Sequence, residues 1–360
     1  MRRSFSTVTG GMLLASVCVV AAMARGGESP QRPVPEAGAP STTPGPGGAA
    51  AARVPATPPP PPLTQAAIDK AAPILASARE ALGGQKLATL KSLDATGRTR
   101  RVRGNNLVTI EFEMNVEFPD KYMRKDESPA EEAAPTSVGF AGTDLLQNPP
   151  PAAPPARAGA PPTPQAALDA RRAQLLLAAK QDFARIALGL FAQGFPAYPL
   201  TFGYAAQAQA PQGVADVLDV RGEGNFAMRF FIDQTTHLPI MVSWASQLAP
   251  NQVIVTVPDA PPLATIAPGA VVIIGPAAPS ATATPEQKDE YAKAVLALRN
   301  KALATPAENR MYFADYRDVD GLKLPFRLRR AIGPDTSEET TFDRYRINPK
   351  IAPAKFAVPK

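Results

Sequence analysis

The chain has 360 residues, a formal net charge of +6 from 38 basic and 32 acidic side chains, 42 prolines, one histidine and one cysteine. So small a basic excess, with no long basic run, argues against a nucleic-acid partner. The lone cysteine, Cys18, lies in an N-terminal apolar stretch, which leaves the rest of the chain without disulfides, thiolate catalysis or cysteine metal sites.

"MRRSFSTVTGGMLLASVCVVAAMARGG" reads as a secretory signal over residues 1–24. Arg2 and Arg3 form its basic start, Gly11 to Ala22 its apolar stretch, and Ala22-Met23-Ala24 its small-x-small cleavage site. The competing reading is an uncleaved N-terminal anchor. Lipidation at Cys18 is the lesser reading, because Val17 is bulky where a lipid-attachment signal wants a small residue. The expected location is the periplasm or cell envelope, with no transmembrane span in the mature chain.

Residues 25–64, including "STTPGPGGAAAARVPATPPPPP", lack spaced apolar residues and are expected to form a disordered Pro/Ala-rich linker. The remaining residues, 65–360, read as one domain with insertions at about 128–170 and 250–308. "AAIDKAAPILASAREALGG" predicts a helix with Ile68, Ala71, Leu75, Ala78 and Leu82 on one face, stopped by Gly83-Gly84. "LVTIEFEMNVEFPDKY" alternates, with Val108, Ile110, Phe112, Met114, Val116 and Phe118 on one side and polar residues on the other. It pairs with "LKSLDATGRTRRV" through the "GNN" turn at 104–106. The basic cluster "GRTRRVRG" (97–104) suits a solvated sheet end.

The first insertion surrounds an island, "SVGFAGTDLLQ". A helix with a wide apolar stripe follows from about Leu168 to Gln193 and is expected to pack on a sheet or plug a cavity. Three hairpin strands come next, "VADVLDVRG", "NFAMRFFID" and "LPIMVSWAS". The second insertion holds a β-rich, proline-bounded piece and a polar helix, "TPEQKDEYAKAVLALRNKAL". "RMYFADYRDV", "LKLPFRLRRAI" and "EETTFDRYRIN" close the chain as strands joined by "VDG" and "GPDTS" turns. This pattern predicts an α+β fold, an antiparallel sheet with helices on one side.

"VRGEGNFA" (220–227) matches a dinucleotide-binding fingerprint, but "FAMRFFID" after it alternates as a strand where a helix is required. The glycines belong to a hairpin turn. His237 has no second histidine or cysteine to share a metal, and no G-x-S-x-G serine accompanies it. "DQTTH" suits a turn in which Asp233 bonds local amides, and Pro239 begins the next strand. Glu111 and Glu113 read as a solvated strand face. No catalytic residue, metal or cofactor is expected. The residues with a claim on function are apolar: Phe112, Met114, Val116 and Phe118 from one strand, Phe226, Met228 and Phe230 from another, Ile240, Val242 and Trp244 from a third, and Leu324 and Phe326 from a fourth. Such a Met/Phe surface suits a greasy ligand. An ordinary sheet–helix core is the alternative.

The order of these pieces resembles the LolA/LolB/RseB-like superfamily of outer-membrane lipoprotein carrier-like proteins, in its broad exported bacterial subgroup. The resemblance rests on "ILASAREALGGQKLATLKSLDATG", "EFEMNVEFPDKYMRKDE", "SVGFAGTDLLQ", the D-x-x-T-x-x-P hairpin within "VADVLDVRGEGNFAMRFFIDQTTHLPIMVSW", and "DYRDVDGLKLPFRLRR" with "YRINPKIAPAKFAVP". It covers roughly 65–125, 137–147, 170–246 and 308–359. It implies a curved, unclosed antiparallel half-barrel with helices covering the concave face, where carriers receive acyl chains. A carrier arginine that holds the lid closed has no residue-for-residue counterpart here, although Arg98 and Arg100 lie on the equivalent strand.

Non-catalytic binding of a lipid, lipoprotein acyl chain or other hydrophobic molecule is therefore expected. The alternative is an envelope stress sensor or protein-interaction module, in which the proline-bounded "PPLATIAPGAVVIIGP" (261–276) adds strands to a partner.

Overall fold

The computed structural model describes residues 60–103, 106–129, 134–151, 164–210, 213–247, 253–258 and 270–357. The signal segment with Cys18, the linker up to residue 59, the "GN" of the 104–106 turn and residues 261–269 of the proline-bounded segment lie outside the described residues.

Helix α1 (Gln65–Leu82) starts where the Thr64 hydroxyl accepts from the Ala67 amide and buries Ala71, Leu75, Ala78 and Leu82. It stops at Gly83 (φ +138°), where a side chain would collide with Leu322 and the Gly321 carbonyl. A short α2 (Gln85–Ala88) leads into β1 (Ser92–Arg103), β2 (Asn106–Glu117), β3 (Lys121–Glu127), β4 (Thr136–Ala141) and β5 (Asp144–Asn148). Helix α3 (Gln165–Phe191) follows. Then come β6 (Thr201–Ala210), β7 (Gly213–Gly222), β8 (Phe226–Asp233) and β9 (Pro239–Ser246). After β10 (Val253–Thr256), β11 (Val271–Ile274) and α4 (Pro285–Ala304), the chain closes with β12 (Ala307–Val319), β13 (Leu322–Ile332) and β14 (Asp335–Ile347).

Twelve strands form one sheet in the order β5-β4-β3-β2-β1-β14-β13-β12-β9-β8-β7-β6. Every ladder in it is antiparallel. The sheet is curved and does not close into a barrel; β5 and β6 are its two edges. The architecture is α+β, as the alternation pattern predicts.

One face of the sheet is apolar across its width, because inward positions recur every second residue. Leu93 and Ala95 of β1, Met114 and Val116 of β2, Leu218 and Val220 of β7, Met228 and Phe230 of β8, and Leu322 and Leu324 of β13 join one core with α1 and α3. The opposite, outer face is largely charged. There the C-terminal residues return to the sheet: Phe356 packs with Met123 and Leu146, and the Lys355 ammonium donates to the Glu113 carboxylate at 2.6–2.7 Å.

The structure departs from the sequence reading at four places. "LVTIEFEMNVEFPDKY" is two strands, since the chain turns after Glu117 and β3 runs back beside β2. β6, "TFGYAAQAQA", has no expected counterpart; alanine and glutamine give it no strand signature, and it becomes a strand by pairing with β7. α4 does not cover the large sheet; it packs on the parallel pair β10–β11, with Val253 and Ala302 at the centre of a small separate cluster. Finally, the β8–β9 pairing shifts so that Phe231 faces Met241 while Ile232 faces Pro239. This bulge turns Pro239 inward and leaves Ile240 exposed.

Candidate functional site

The candidate site is the inner face of the sheet with α3 laid over it. α3 leaves the sheet edge at β5, crosses the face against β4, β5, β9 and β13, and delivers the chain to the opposite edge at β6. Gly189 brings the helix close to the sheet: a Cβ there would lie 2.2 Å from the Phe313 ring. The Tyr316 hydroxyl donates to the Gly189 carbonyl at 2.9 Å. The helix ends at Ala192 in a left-handed conformation, with its carbonyl accepting from Arg79 of α1 at 3.3 Å.

Aromatic rings fill the space beneath α3. Tyr122 stacks on Phe183 at 4.4 Å, Phe183 meets Phe195 at 4.9 Å, and Phe195 stacks on Phe140 at 5.5 Å. Tyr198 meets Phe226 edge-on at 5.5 Å, and its hydroxyl donates to the Glu223 carbonyl at 2.7 Å. Burial pushes the Tyr198 phenol up to about 12.

Of the residues singled out in the sequence, Phe112, Met114, Val116, Phe226, Met228, Phe230, Val242, Leu324 and Phe326 are buried in this one core. Phe118 and Trp244 are partly buried and pack against its rim. Phe118 meets Phe191 of α3 edge-on at 5.6 Å. Ile240 is not among them: it is 37% exposed at the bulge, because the extra residue breaks the parity that would align it with Val242 and Trp244.

A charged network that the apolar pattern does not announce borders this core. Arg330 of β13 donates two hydrogen bonds to Asp182 of α3, at 2.9 and 3.2 Å. Arg330 also lies 3.8 Å from Glu338, which takes a 2.9 Å bond from Arg101. Arg124 donates to Asp126 at 2.6 Å and to Thr99 at 2.9 Å. The Thr99 and Thr340 hydroxyls are 2.9 Å apart, and Thr340 donates to Glu338 at 3.4 Å. Because the Thr340 hydroxyl donates to Glu338, it is Thr99 that donates to Thr340.

Burial alone would raise the Asp182 and Glu338 carboxyls. The neighbouring guanidiniums, Arg330 foremost for each, outweigh it and hold both below the usual range. Carboxylates held ionised in this way are weak bases, suited to fastening rather than proton transfer. Arg185 of α3 is different: burial lowers its pKa, and among the described residues its Nε has no hydrogen-bond partner. Its guanidinium lies 4.5 Å from the Trp244 ring and 5.1 Å from Phe226.

A sequence signal for this network did exist. Arg124, Asp126, Arg330 and Glu338 share strand parity with buried residues, so charge interrupts apolar stripes at those positions. Arg98 and Arg100, by contrast, face outward while Thr99 is buried.

His237 lies in the expected turn with φ +57°. Asp233 Oδ1 accepts from the Thr235 and Thr236 amides at 3.0 and 2.7 Å and from the Thr236 hydroxyl at 2.8 Å. Those bonds hold the Asp233 carboxyl below its usual range, the Thr236 amide contributing most. Among the described residues, no group of three His, Cys, Asp or Glu side chains is placed to hold a metal. No described helix is long and apolar enough to cross a membrane.

No family model matches the chain, and no curated protein does. Among solved structures, the chain is similar to a LolA superfamily protein from Nitrosomonas europaea, with 10% identity over 80% of this chain and 97% of that one, at a TM-score of 0.41. It is similar to an outer membrane lipoprotein-sorting protein domain from Vibrio parahaemolyticus, with 9% identity over 78% and 95% and a TM-score of 0.38. A DUF1329 family protein from Desulfovibrio piger gives 7% identity over 79% and 96%, also at 0.38.

Proposed function

We propose that the protein is a non-catalytic binding protein of the cell envelope that takes up a lipid, a lipoprotein acyl chain or another hydrophobic molecule between the inner face of its sheet and α3. The observation that carries this reading is the way α3 is held. It crosses an open sheet rich in Met and Phe, including Met114, Met228, Met311 and Phe230, and a surface ion pair, Asp182–Arg330, fastens it at one side. Because α3 belongs to no ladder of the sheet, it can lift from the face without breaking one.

An acyl chain replacing the helix side chains gains about 0.8 kcal/mol per methylene buried. A chain of roughly ten methylenes therefore offsets about 8 kcal/mol of lost helix packing. Met side chains adapt to such an exchange better than branched ones do.

The test is native mass spectrometry and lipid extraction of protein purified from its own envelope fraction. Co-purifying lipid that is lost when Met228 and Phe230 are replaced by bulkier or polar residues is the expected result. Protein that carries no lipid and takes up none from micelles would end this reading.

A second reading has its own observation. On the small β10–β11 unit, Val271, Val272 and Ile274 are exposed, Ile274 to 71%. A short parallel pair with exposed apolar side chains suits strand addition by an envelope protein partner. Deleting residues 258–283 and comparing envelope pull-downs tests it, and an unchanged set of partners would reject it.

A further inference from the structure

The outer face of the sheet carries a trough over β14, with a volume of about 520 Å³. Thr341 and Glu339 of β14 form its floor. Arg98 and Arg100 rise from β1 on one side; Arg327 of β13 and Arg317 of β12 rise on the other. The register produces this arrangement. Arg98 and Arg327 are both cross-strand partners of Thr341, and Arg100 is the partner of Glu339. Thr109 of β2 adds a hydroxyl at the β1 side.

The four arginines are not equally committed. Arg317 donates to both oxygens of Asp315, at 3.0 and 2.6 Å, and Arg98 reaches Asp343 at 3.3 Å. Among the described residues Arg100 and Arg327 make no hydrogen bond, although Arg327 lies near enough to Asp315 to help hold its carboxyl below the usual range. The lining sets four arginines against Asp315 and Glu339, an excess of two positive charges, and Asp343 just outside it takes Arg98, which leaves an excess of one. Arg100 and Arg327 thus stand on opposite sides of β14, two residues out of register, with the Thr341 hydroxyl beside Arg327 and that of Thr109 beside Arg100.

We infer that this trough binds a phosphate group of the monoester or pyrophosphate class. A guanidinium offers paired donors that match two phosphate oxygens, and two of them can clamp one group from opposite sides. A phosphomonoester, with about −1.5 to −2 charges at neutral pH and three terminal oxygens, can engage the Arg100 and Arg327 guanidiniums at once, which a singly charged carboxylate does less well. The hydroxyls of Thr109 and Thr341 supply neutral donors for the remaining oxygens. Glu339 opposes the anion at one end, so removing its charge tightens binding. The site lies on the face opposite α3 and does not depend on the hydrophobic-ligand reading.

The experiment is titration calorimetry of the full chain with pyrophosphate at low salt, beside flotation with vesicles containing phosphatidic acid or only phosphatidylcholine. The expected result is pyrophosphate binding that weakens by roughly tenfold or more in Arg100→Gln/Arg327→Gln, strengthens in Glu339→Gln, and is unchanged in Arg229→Gln, an exposed arginine elsewhere. The gain in Glu339→Gln cannot come from a misfolded protein. Binding to phosphatidic acid vesicles alone, lost in the double variant, supports the same site with a lipid headgroup as its source. Three results would overturn the inference: no binding in either arm, binding indifferent to the double variant, or tighter binding of poly-glutamate than of pyrophosphate.

Discussion

Arg330 holds Asp182 through two hydrogen bonds, 2.9 and 3.2 Å long, and thereby ties the helix α3 to strand β13 across 148 residues of sequence. The Asp182 side chain is 43% exposed and that of Arg330 is 26% exposed, so the pair is a clasp at the margin of the core rather than a buried ion pair. Water screens it, and its contribution is correspondingly modest. Asp182→Asn is expected to cost about 1–2 kcal/mol in urea unfolding. It is also expected to increase binding of a hydrophobic fluorescent dye below the unfolding transition, since the helix is freed before the sheet is. Equal dye binding in wild type and variant would mean that the clasp does not control access to the inner face.

Acid is expected to act through the same network. Asp182 and Glu338 have folded pKa values below their ordinary 3.8 and 4.5. The stability they contribute is complete above those ordinary values and is lost as pH falls through the depressed folded ones. Unfolding midpoints should therefore be flat from neutrality to about pH 5 and fall progressively below about pH 4.5. Asp182→Asn and Glu338→Gln should each start lower and decline less. A variant whose acid decline is as steep as wild type would remove that carboxylate from the account.

Gly189 tests how closely the helix must sit. Alanine is the better helix former by about 1 kcal/mol. Here, however, its methyl would enter the Phe313 ring. Gly189→Ala is expected to destabilise by about 1–3 kcal/mol in thermal or urea unfolding, and Gly189→Leu by more. Stabilisation by alanine would show that helix and sheet are already apart in solution.

The β8–β9 bulge makes neighbouring apolar residues behave differently. Val242 is fully buried and Ile240 is exposed. Val242→Asp places an unpaired carboxylate in the core and is expected to abolish folding or cost about 3 kcal/mol or more. Ile240→Asp is expected to stay within about 0.5 kcal/mol of wild type. Comparable losses at both positions, measured by circular dichroism melts, would refute the bulge.

Much of this architecture could be read from residue order. Strict alternation in "FAMRFFID" and "LKLPFRLRR" predicts the inward faces of β8 and β13, and Gly83 marks the end of α1. Three features resist such a reading for physical reasons. β6 is a strand because β7 offers it a ladder, and its own alanines and glutamines carry no strand preference. The Ile240 bulge is a register shift, set by how two strands meet rather than by either strand alone. The clasp joins Asp182 to Arg330, and no local pattern relates residues so far apart, although a charge on an apolar stripe was the available hint. Trp244, which its alternation assigns to the apolar face, has its ring at the rim of the core beneath the Arg185 guanidinium.

The strand order places β14 between β1 and β13, so the first and last strands of the chain are partners at the middle of the sheet. Strands β1–β5 and β6–β9 with β12–β13 are two meanders that only this final strand joins. A polypeptide made from its N-terminus therefore has no continuous sheet until residue 347 is available, and the pairing of Leu93 with Ile347 must close all the chain between them into a loop. Such long-range closure slows folding. The sheet stays in two pieces until β14 has been made, and loss of residues 335–347 would divide it down its centre rather than trim its edge.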